Sequence, residues 1–598
     1  MQTYSKYKKY FFRSLPLALI LALLLSACGS QPENSDPQQE EAASFTVTVC
    51  ATEAQDTLDP ARSTASGSET ILFHLFENLM RWEDDGNGHA VLAPGQAESY
   101  EVETDYAGNA TYTFTLRSGI QWSDGQAVTA GDFVTAWQRL ADPANDLPHR
   151  ALLKDIAGYS KVQETGDSSL LQVSAPDDQT LVVTLTGSCA YFLEEICASA
   201  YTMPVRQDLL DDTKWGTDAK ATITNGAYTL SLLSDDLVTL EKSETYYDSA
   251  AVGPDTLNFV TASDVESDYE AFTNGGTDLV EGLPDDTLQS LSDSGSWLPD
   301  PVTATYGVLL NTKAAPFTDS NVRLALRLAI DTQAITETVG DLALRAASGI
   351  LPYGITDYGQ AAPAEEDTEE AVSNTDNEVE EPDTFWDFRT HSLEKVTVTT
   401  DSDYEDDCAQ ARSLLAQAGY PNGTGFPAVE YIYVASENGK AIADALSDMW
   451  RQQLGITVTP KAVTQEEYDA MLTPAESEDA SADAEPVASF QMAAQDFTAA
   501  YNDAKALLGD FYSTNGNPSG YDSDAFDILM KSAAAAVSPE ARDAYLHDAE
   551  AILLNDAPVI PICYEGLSWQ LREGLSGLYR APDGVFFLYH ISQGEAAA

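Results

Sequence analysis

The sequence predicts a mixed α/β (α+β) protein, and three observations carry that expectation. Period-two alternation and helical spacing are interleaved along the whole chain, with no repeat of fixed period. The 598 residues are 43% hydrophobic and include 28 Tyr, 20 Phe and 8 Trp, enough apolar matter for large cores. Charge is lopsided, 96 Asp+Glu against 30 Lys+Arg, yet the composition around it is globular. The acidity therefore belongs to surfaces rather than to wholesale disorder.

The elements follow in order. Phe45–Cys50 alternates as a strand. Glu69–Met80 has helical spacing, with Ile71, Leu72, Leu75, Phe76 and Leu79 on one face. Tyr112, Phe114 and Leu116 alternate with threonines in a second strand. Thr129 and Asp132 form a capping box that opens a helix over Phe133–Leu140. Strands follow at Leu181–Thr186, Val238–Glu241 and Leu257–Thr261. Asn321–Thr332 and Cys408–Ala418 read as helices, and Val429–Tyr433 as a strand. Ala441–Leu454 is a helix leading into a strand at Ile456–Val458.

The start of the chain reads as a targeting segment. Residues 1–27 carry Lys6, Lys8, Lys9 and Arg13, no acid, and then an apolar run from Leu15 to Leu25. A helix crossing a bilayer takes ~20 apolar residues, so this run is too short to span and reads as a secretory signal. It ends Leu25-Ser26-Ala27-Cys28, which resembles a bacterial lipobox. That resemblance implies cleavage before Cys28 and lipid attachment there, with several acyl chains for stable anchoring. Residues 28–44 read as a polar, disordered tether. Removing residues 1–27 takes the net charge from −66 to −70 (26 − 96).

Two further stretches break the globular composition. Residues 361–387 hold eleven acids and no base, and residues 473–487 are a shorter acidic run. Both read as solvated surface insertions. Five cysteines remain after Cys28: Cys50, Cys189, Cys197, Cys408 and Cys563. Cys189 and Cys197 are near enough in sequence to be a disulfide candidate, while burial as small hydrophobes suits most of the five.

A pI near 4.1 argues against nucleic acid, whose phosphates need a basic face, and against polybasic docking on anionic lipid. No nucleophile elbow, zincin motif, phosphate-binding loop or EF-hand occurs, and the six histidines show no metal spacing. The expectation is therefore no enzyme, no catalytic residue, no metal and no cofactor.

An ordered series of motifs then runs from about Thr46 to about Pro561. Thr57-Leu58-Asp59-Pro60 comes first, then Leu116-Arg117 with Trp122-Ser123-Asp124-Gly125. Val128-Thr129-Ala130 with Asp132-Phe133-Val134 precedes Trp137-Gln138-Arg139-Leu140, and Thr224-Asn225-Gly226-Ala227-Tyr228 follows. Pro316-Phe317, Val322-Arg323, Ala329-Ile330-Asp331, Gly419-Tyr420-Pro421, Gly425-Phe426-Pro427, and Trp450 with Leu454-Gly455-Ile456 complete it. In this order they resemble the family 5 extracellular solute-binding proteins, the oligopeptide- and dipeptide-binding lipoproteins of ABC importers. Most of the pieces also have plain structural roles as turns, caps and core stripes.

The resemblance implies a two-lobed, periplasmic-binding-protein-like fold with an extra subdomain in lobe one and a hinge between lobes. Mapped by motif, lobe one takes 45–71, 209–308 and 567–598, the inserted subdomain 72–208, and lobe two 309–566. The crossings between lobes fall near Gly307 and Gly566. The same resemblance implies a lipid-anchored, extracytoplasmic monomer at the cell membrane that encloses a peptide between its lobes. Its partners are then an ABC permease and ATPase.

Peptide binding in this family works by strand addition. The pairing segments map to Thr52–Gln55, with Glu53 and Ala54, and to Gln495–Thr498, with Asp496, Phe497 and Thr498. Tyr501 and Asp503 fall on further matching positions, and His149 follows Pro148, where relatives often carry a cleft aromatic. The family's acid for the peptide α-ammonium maps to Ala500. Leaving an ammonium unpaired in a closed cleft costs ~3–5 kcal/mol. Asp496 or Asp503 then reaches the amine, or the ligand is blocked, cyclic or longer, or it is not a peptide. A receptor or peptide-carrying chaperone without a transport role is the remaining alternative on the same fold.

Overall fold

A computed structural model describes residues 44–598 apart from 52–53, 56, 66, 85, 87–89, 107–108, 188, 190, 294–299, 353–354, 356–400, 474–487, 500–501, 514–516, 537–538, 582–583 and 595–598. Cys28, the tether and the first acidic insertion lie outside the described residues, as does nearly all of the second. Among the described residues no helix is long and apolar enough to cross a membrane.

Two six-stranded sheets organise the chain. The first runs, in spatial order, Trp569–Leu571, Leu279–Glu281, Thr46–Ala51, Thr256–Thr261, Leu237–Lys242 and Tyr228–Leu233. Its opening strand, Thr46–Ala51, is parallel to Thr256–Thr261, with Thr46 opposite Thr256 and Ala51 opposite Thr261. The second sheet runs Arg345–Ala346, Val559–Leu567, Asp300–Leu310, Met492–Thr498, Val429–Val434 and Val458–Val463. A four-stranded antiparallel sheet, Ala97–Thr104, Ala110–Leu116, Thr180–Thr184 and Val173–Asp177, is inserted between the opening strand and the rest of the first sheet.

Each core follows from strand alternation. In the second sheet Val308, Leu310, Met492 and Ala494 pack on one face, while Leu309, Ala493 and Phe497 pack on the other. Helix Glu437–Leu454 covers the first of these faces with Ile442, Leu446 and Trp450. The first sheet shares its core with the four-stranded sheet, around Phe76, Phe114, Trp122 and Trp137. Burial of one such large side chain stabilises by ~1.5–3 kcal/mol.

The chain passes from one large sheet to the other twice, through Gly282 to Asp300 and through Leu567 to Trp569. The two passages are stapled together, Gly282 N–H donating to the Ser568 carbonyl at 2.7 Å and Leu283 N–H to Ser568 Oγ at 3.0 Å. Gly282 has φ +75°, which favours glycine at this junction. Gly566 pairs with Pro301 near the crossing, but Gly307 does not mark one. It sits inside the second sheet between Gln495 and Pro561, where a Cβ would meet the Ile560 carbonyl at 3.1 Å. Close packing, not a change of backbone direction, is what glycine serves there.

The motif residues hold local structure. Thr129 N–H donates to Asp132 Oδ2 at 2.9 Å in a capping box, and Trp122 Nε1 donates to the same oxygen at 3.2 Å. Arg139 grips the buried Asp59 carboxylate with both terminal nitrogens. Asn225 bonds the backbone of Glu77. Buried His74 donates from Nδ1 to the Thr70 carbonyl at 2.5 Å, and its Nε2 accepts Leu588 N–H at 2.9 Å. That neutral arrangement ties helix Ser68–Leu75 to the chain's last segment.

Some boundaries differ from the sequence expectation for identifiable reasons. The helix expected over Glu69–Met80 ends at Leu75, and Met80–Asp84 is a strand. Tertiary bonds take over the backbone: Gly226 N–H donates to Leu75 O and Met80 N–H to Cys197 O. The helix expected over Asn321–Thr332 breaks after Leu328, and Asp331 caps a new one by accepting Ala334 N–H at 3.0 Å. The strand expected at Ile456–Val458 runs over Val458–Val463, after Gly455 closes the preceding helix at φ +70°. Cys189 and Cys197 are not bridged: all five described cysteines are free, and all but Cys50 are buried.

Candidate ligand-binding site

The strand Met492–Thr498 begins in the core and ends at a cleft. Its outer half alternates, with Asp496 and Thr498 exposed and Phe497 buried against Phe511. Register places Asp496 opposite Tyr306, and Tyr306 opposite Cys563. Glu565 lies two residues beyond Cys563. The carboxyl groups of Asp496 and Glu565 therefore lie near enough on this face for each to act on the other's ionisation.

Two neighbouring carboxyls resist ionising together. Burial, then Asp496 and more distant Asp341, push the Glu565 carboxyl up to about 8. Partial desolvation at the cleft wall raises Asp496 as well. The pair therefore holds a proton under conditions where isolated carboxylates are fully ionised.

Glu565 and Thr498 line a cavity of about 360 Å³ between the two large sheets. The facing wall comes from the first sheet, with Cys50 at the end of the opening strand and Glu281 on its neighbour, and Glu69 from the adjacent helix. Burial pushes Glu281 up to about 7, opposed by attraction to Arg580. Burial, with Asp268 and Glu281, pushes the Cys50 thiol up to about 11, so it stays protonated and weakly nucleophilic. Among the described residues no group of His, Cys, Asp and Glu could hold a metal ion.

Both strands that frame the cavity have open edges. Val429–Val434 pairs with the cleft strand only at Met492 and Ala493, so Gln495–Thr498 are laddered on one side, against Asp300–Leu310. On the opening strand, Leu279–Glu281 pairs only at Val49. The chain's halves also touch away from this cavity. Lys505 lies 4.1 Å over the Tyr191 ring, bonds its hydroxyl, and sits 3.7 Å from Asp155.

The sequence-expected residues divide. Asp496 and Thr498 share the cleft face. Phe497 belongs to the core, because strand alternation turns it inward. Asp503 is 0% exposed, its Oδ1 accepting Lys505 N–H at 2.7 Å and Arg542 Nη2 at 2.8 Å. It caps helix Ala504–Leu508. His149 stacks on Tyr201 at 3.5 Å, and its Nε2 bonds the Ser63 carbonyl at 2.8 Å. Burial lowers its pKa. Neither His149 nor exposed Ala54 lines the cavity. Glu53, Ala500 and Tyr501 lie outside the described residues.

Sequence reasoning missed Glu565, Glu281 and Cys50. Their one signal is position, at the ends of apolar strands (VIPICYEGL, LVE, TVTVCA), and among 96 acids that signal is weak. A larger open groove of about 620 Å³ is lined by Asp59, Arg139 and Trp215. It includes no residue of the second sheet, and its central ion pair is already satisfied.

Comparison with known proteins agrees with this architecture. The family model of bacterial extracellular solute-binding proteins, family 5 (middle region), matches residues 91–519. The periplasmic oligopeptide-binding protein OppA of Escherichia coli (strain K12) is 30% identical over 522 residues, covering 85% of this chain and 84% of its own. Oligopeptide-binding protein OppA of Bacillus subtilis (strain 168) is 26% identical over 585 residues, 96% of this chain and 97% of its own. The structure of the murein tripeptide binding protein MppA of Escherichia coli matches with a TM-score of 0.71 at 24% identity, covering 93% of this chain and 99% of that one. Haemophilus influenzae OppA in complex with the peptide RPPGFSPFR matches with a TM-score of 0.69 at 22% identity, covering 93% and 100%. Matched over most of its length, the chain belongs to the bacterial extracellular solute-binding proteins of family 5, which are solute receptors rather than enzymes.

Proposed function

We propose that this receptor is the substrate-binding component of an ABC importer, capturing oligopeptides between its lobes and delivering them to a membrane permease. The observation that carries the peptide class is the half-laddered edge of Gln495–Thr498, whose last residue, Thr498, lines the cavity. Free backbone groups there pair with an extended peptide and give affinity without reading its side chains. Asp496 and Thr498 are the ligand-facing residues of that strand, with Glu53 and Ala54 on the opposite segment. The relatives named oligopeptide-binding proteins support the class.

The lobes are residues 45–71, 209–282 and 569–598 against 300–567, with 72–208 inserted in the first; the boundary expected at 308 moves back to the passage after Gly282 because Asp300–Leu310 is a strand of the second sheet. Closure about the stapled passages at Gly282 and Ser568 encloses the ligand. The basic, apolar start and Cys28 support export and lipid anchoring on the extracytoplasmic face of the membrane, as a monomer. Ala500, at the family's usual acid, supports a second class: a ligand with no free amine at that point.

Native mass spectrometry of receptor purified without unfolding tests the class. A co-released species that fragments as a peptide is expected. A carried species of any other chemistry overturns the peptide assignment.

A further inference from the structure

The cavity's charged lining is of one sign. Glu69, Glu281 and Glu565 line it with apolar and neutral side chains, and no Lys, Arg or His is among the described lining residues. Glu281 and Glu565 come from opposite sheets. Glu281 is half-buried, lines the cavity, and makes no side-chain hydrogen bond among the described residues; its electrostatic partner is Arg580. Among the described residues, the side chains that act on Glu565 are themselves acids, Asp496 and Asp341. Two partly desolvated carboxyls facing one cavity from opposite sheets are stabilised in their charged form by a cationic donor placed between them.

We propose that this cavity holds a positively charged group of the ligand, a primary ammonium or guanidinium, between Glu281 and Glu565, and that Glu565 sets a preference for cationic ligands. The proposal rests on the interlobe capture described above and names its substrate class.

The chemistry closes. Without a cation, burial and the Asp496 charge keep Glu565 protonated up to about pH 8. An arriving ammonium replaces that proton, which leaves to solvent. The cation also offsets repulsion between carboxyls that closure brings together, so closing is favoured when the ligand is present. The groups facing Glu565 are Asp496, Asp341 and Cys563, and those acting on Glu281 are Arg580 and Cys50. Affinity for a cation therefore rises with pH until the pair is fully ionised, and binding releases protons.

Calorimetry with trilysine, triglutamate and spermidine tests this on the full mature chain, alongside Glu565→Gln and Glu281→Gln. Melting curves establish that each variant is folded. Trilysine is expected to bind about tenfold or more tighter than triglutamate, each variant to remove most of that gap, and the gap to widen from about pH 6 to about pH 9. Buffers of different ionisation enthalpy should report proton release. Equal binding of the two peptides, unaffected by either variant, overturns the cation site and leaves the peptide function standing. Glu565-dependent binding of spermidine with neither peptide bound upholds the cation site and removes the peptide function. No binding by any of the three overturns both.

Discussion

Asp503→Ala should destabilise the receptor without weakening ligand capture by the molecules that remain folded. Asp503 is 0% exposed and serves two partners from one oxygen, Lys505 N–H at 2.7 Å and Arg542 Nη2 at 2.8 Å. Truncation removes a helix N-cap, worth ~1 kcal/mol. It also removes the carboxylate facing a guanidinium that is itself 8% exposed, a change that costs ~3–5 kcal/mol for a buried pair. The two losses share one side chain and are not additive, so about 4 kcal/mol in total is expected. Urea unfolding by circular dichroism measures it, with Arg542→Met in the Asp503→Ala background recovering part of the loss. A loss below about 1 kcal/mol, or a large fall in affinity at unchanged stability, would refute a structural role and return Asp503 to the ligand.

Four other outcomes follow from the same geometry. Gly226→Ala places a Cβ 2.6 Å from the Leu75 backbone, which cannot yield as a side chain can, so unfolding should come ~3 kcal/mol or more earlier by denaturant titration. Asp132→Ala removes the capping box and the Trp122 partner together, for ~2 kcal/mol by the same measurement. Lys505→Ala removes the contact to Tyr191 and Asp155 between the halves, so stopped-flow release of ligand should accelerate about threefold or more. Between about pH 6.5 and about pH 8 the melting temperature should fall: Glu195 and Glu565, held up to about 8, and Glu281, up to about 7, stay protonated in the fold but ionise when unfolded. The folded state then binds more protons than the unfolded one, so stability declines as pH rises. Glu195→Gln should flatten that slope.

The fold was legible in the sequence because its signals are local. Alternation marked Thr46–Ala51 and Val429–Val434, Thr129 with Asp132 marked a helix start, and the ordered motifs carried the family. Boundaries failed where distant groups take over the backbone, as Cys197 and Gly226 do after Leu75. The site was half legible. Placing Gln495–Thr498 in the pairing strand brought out Asp496, but Phe497 and Asp503 depend on which way alternation and a buried arginine turn them. Glu565 and Glu281 escaped because their meaning lies in a partner on another strand or lobe, which sequence neighbours do not report.

Small-angle scattering on two preparations tests enclosure between the lobes most directly: receptor carrying its co-purified ligand, and receptor stripped of ligand by unfolding and refolding. A smaller radius of gyration for the loaded form is expected, with the stripped form contracting when the ligand is returned. Identical profiles for the two, with binding demonstrated in the same samples, would contradict capture by closure.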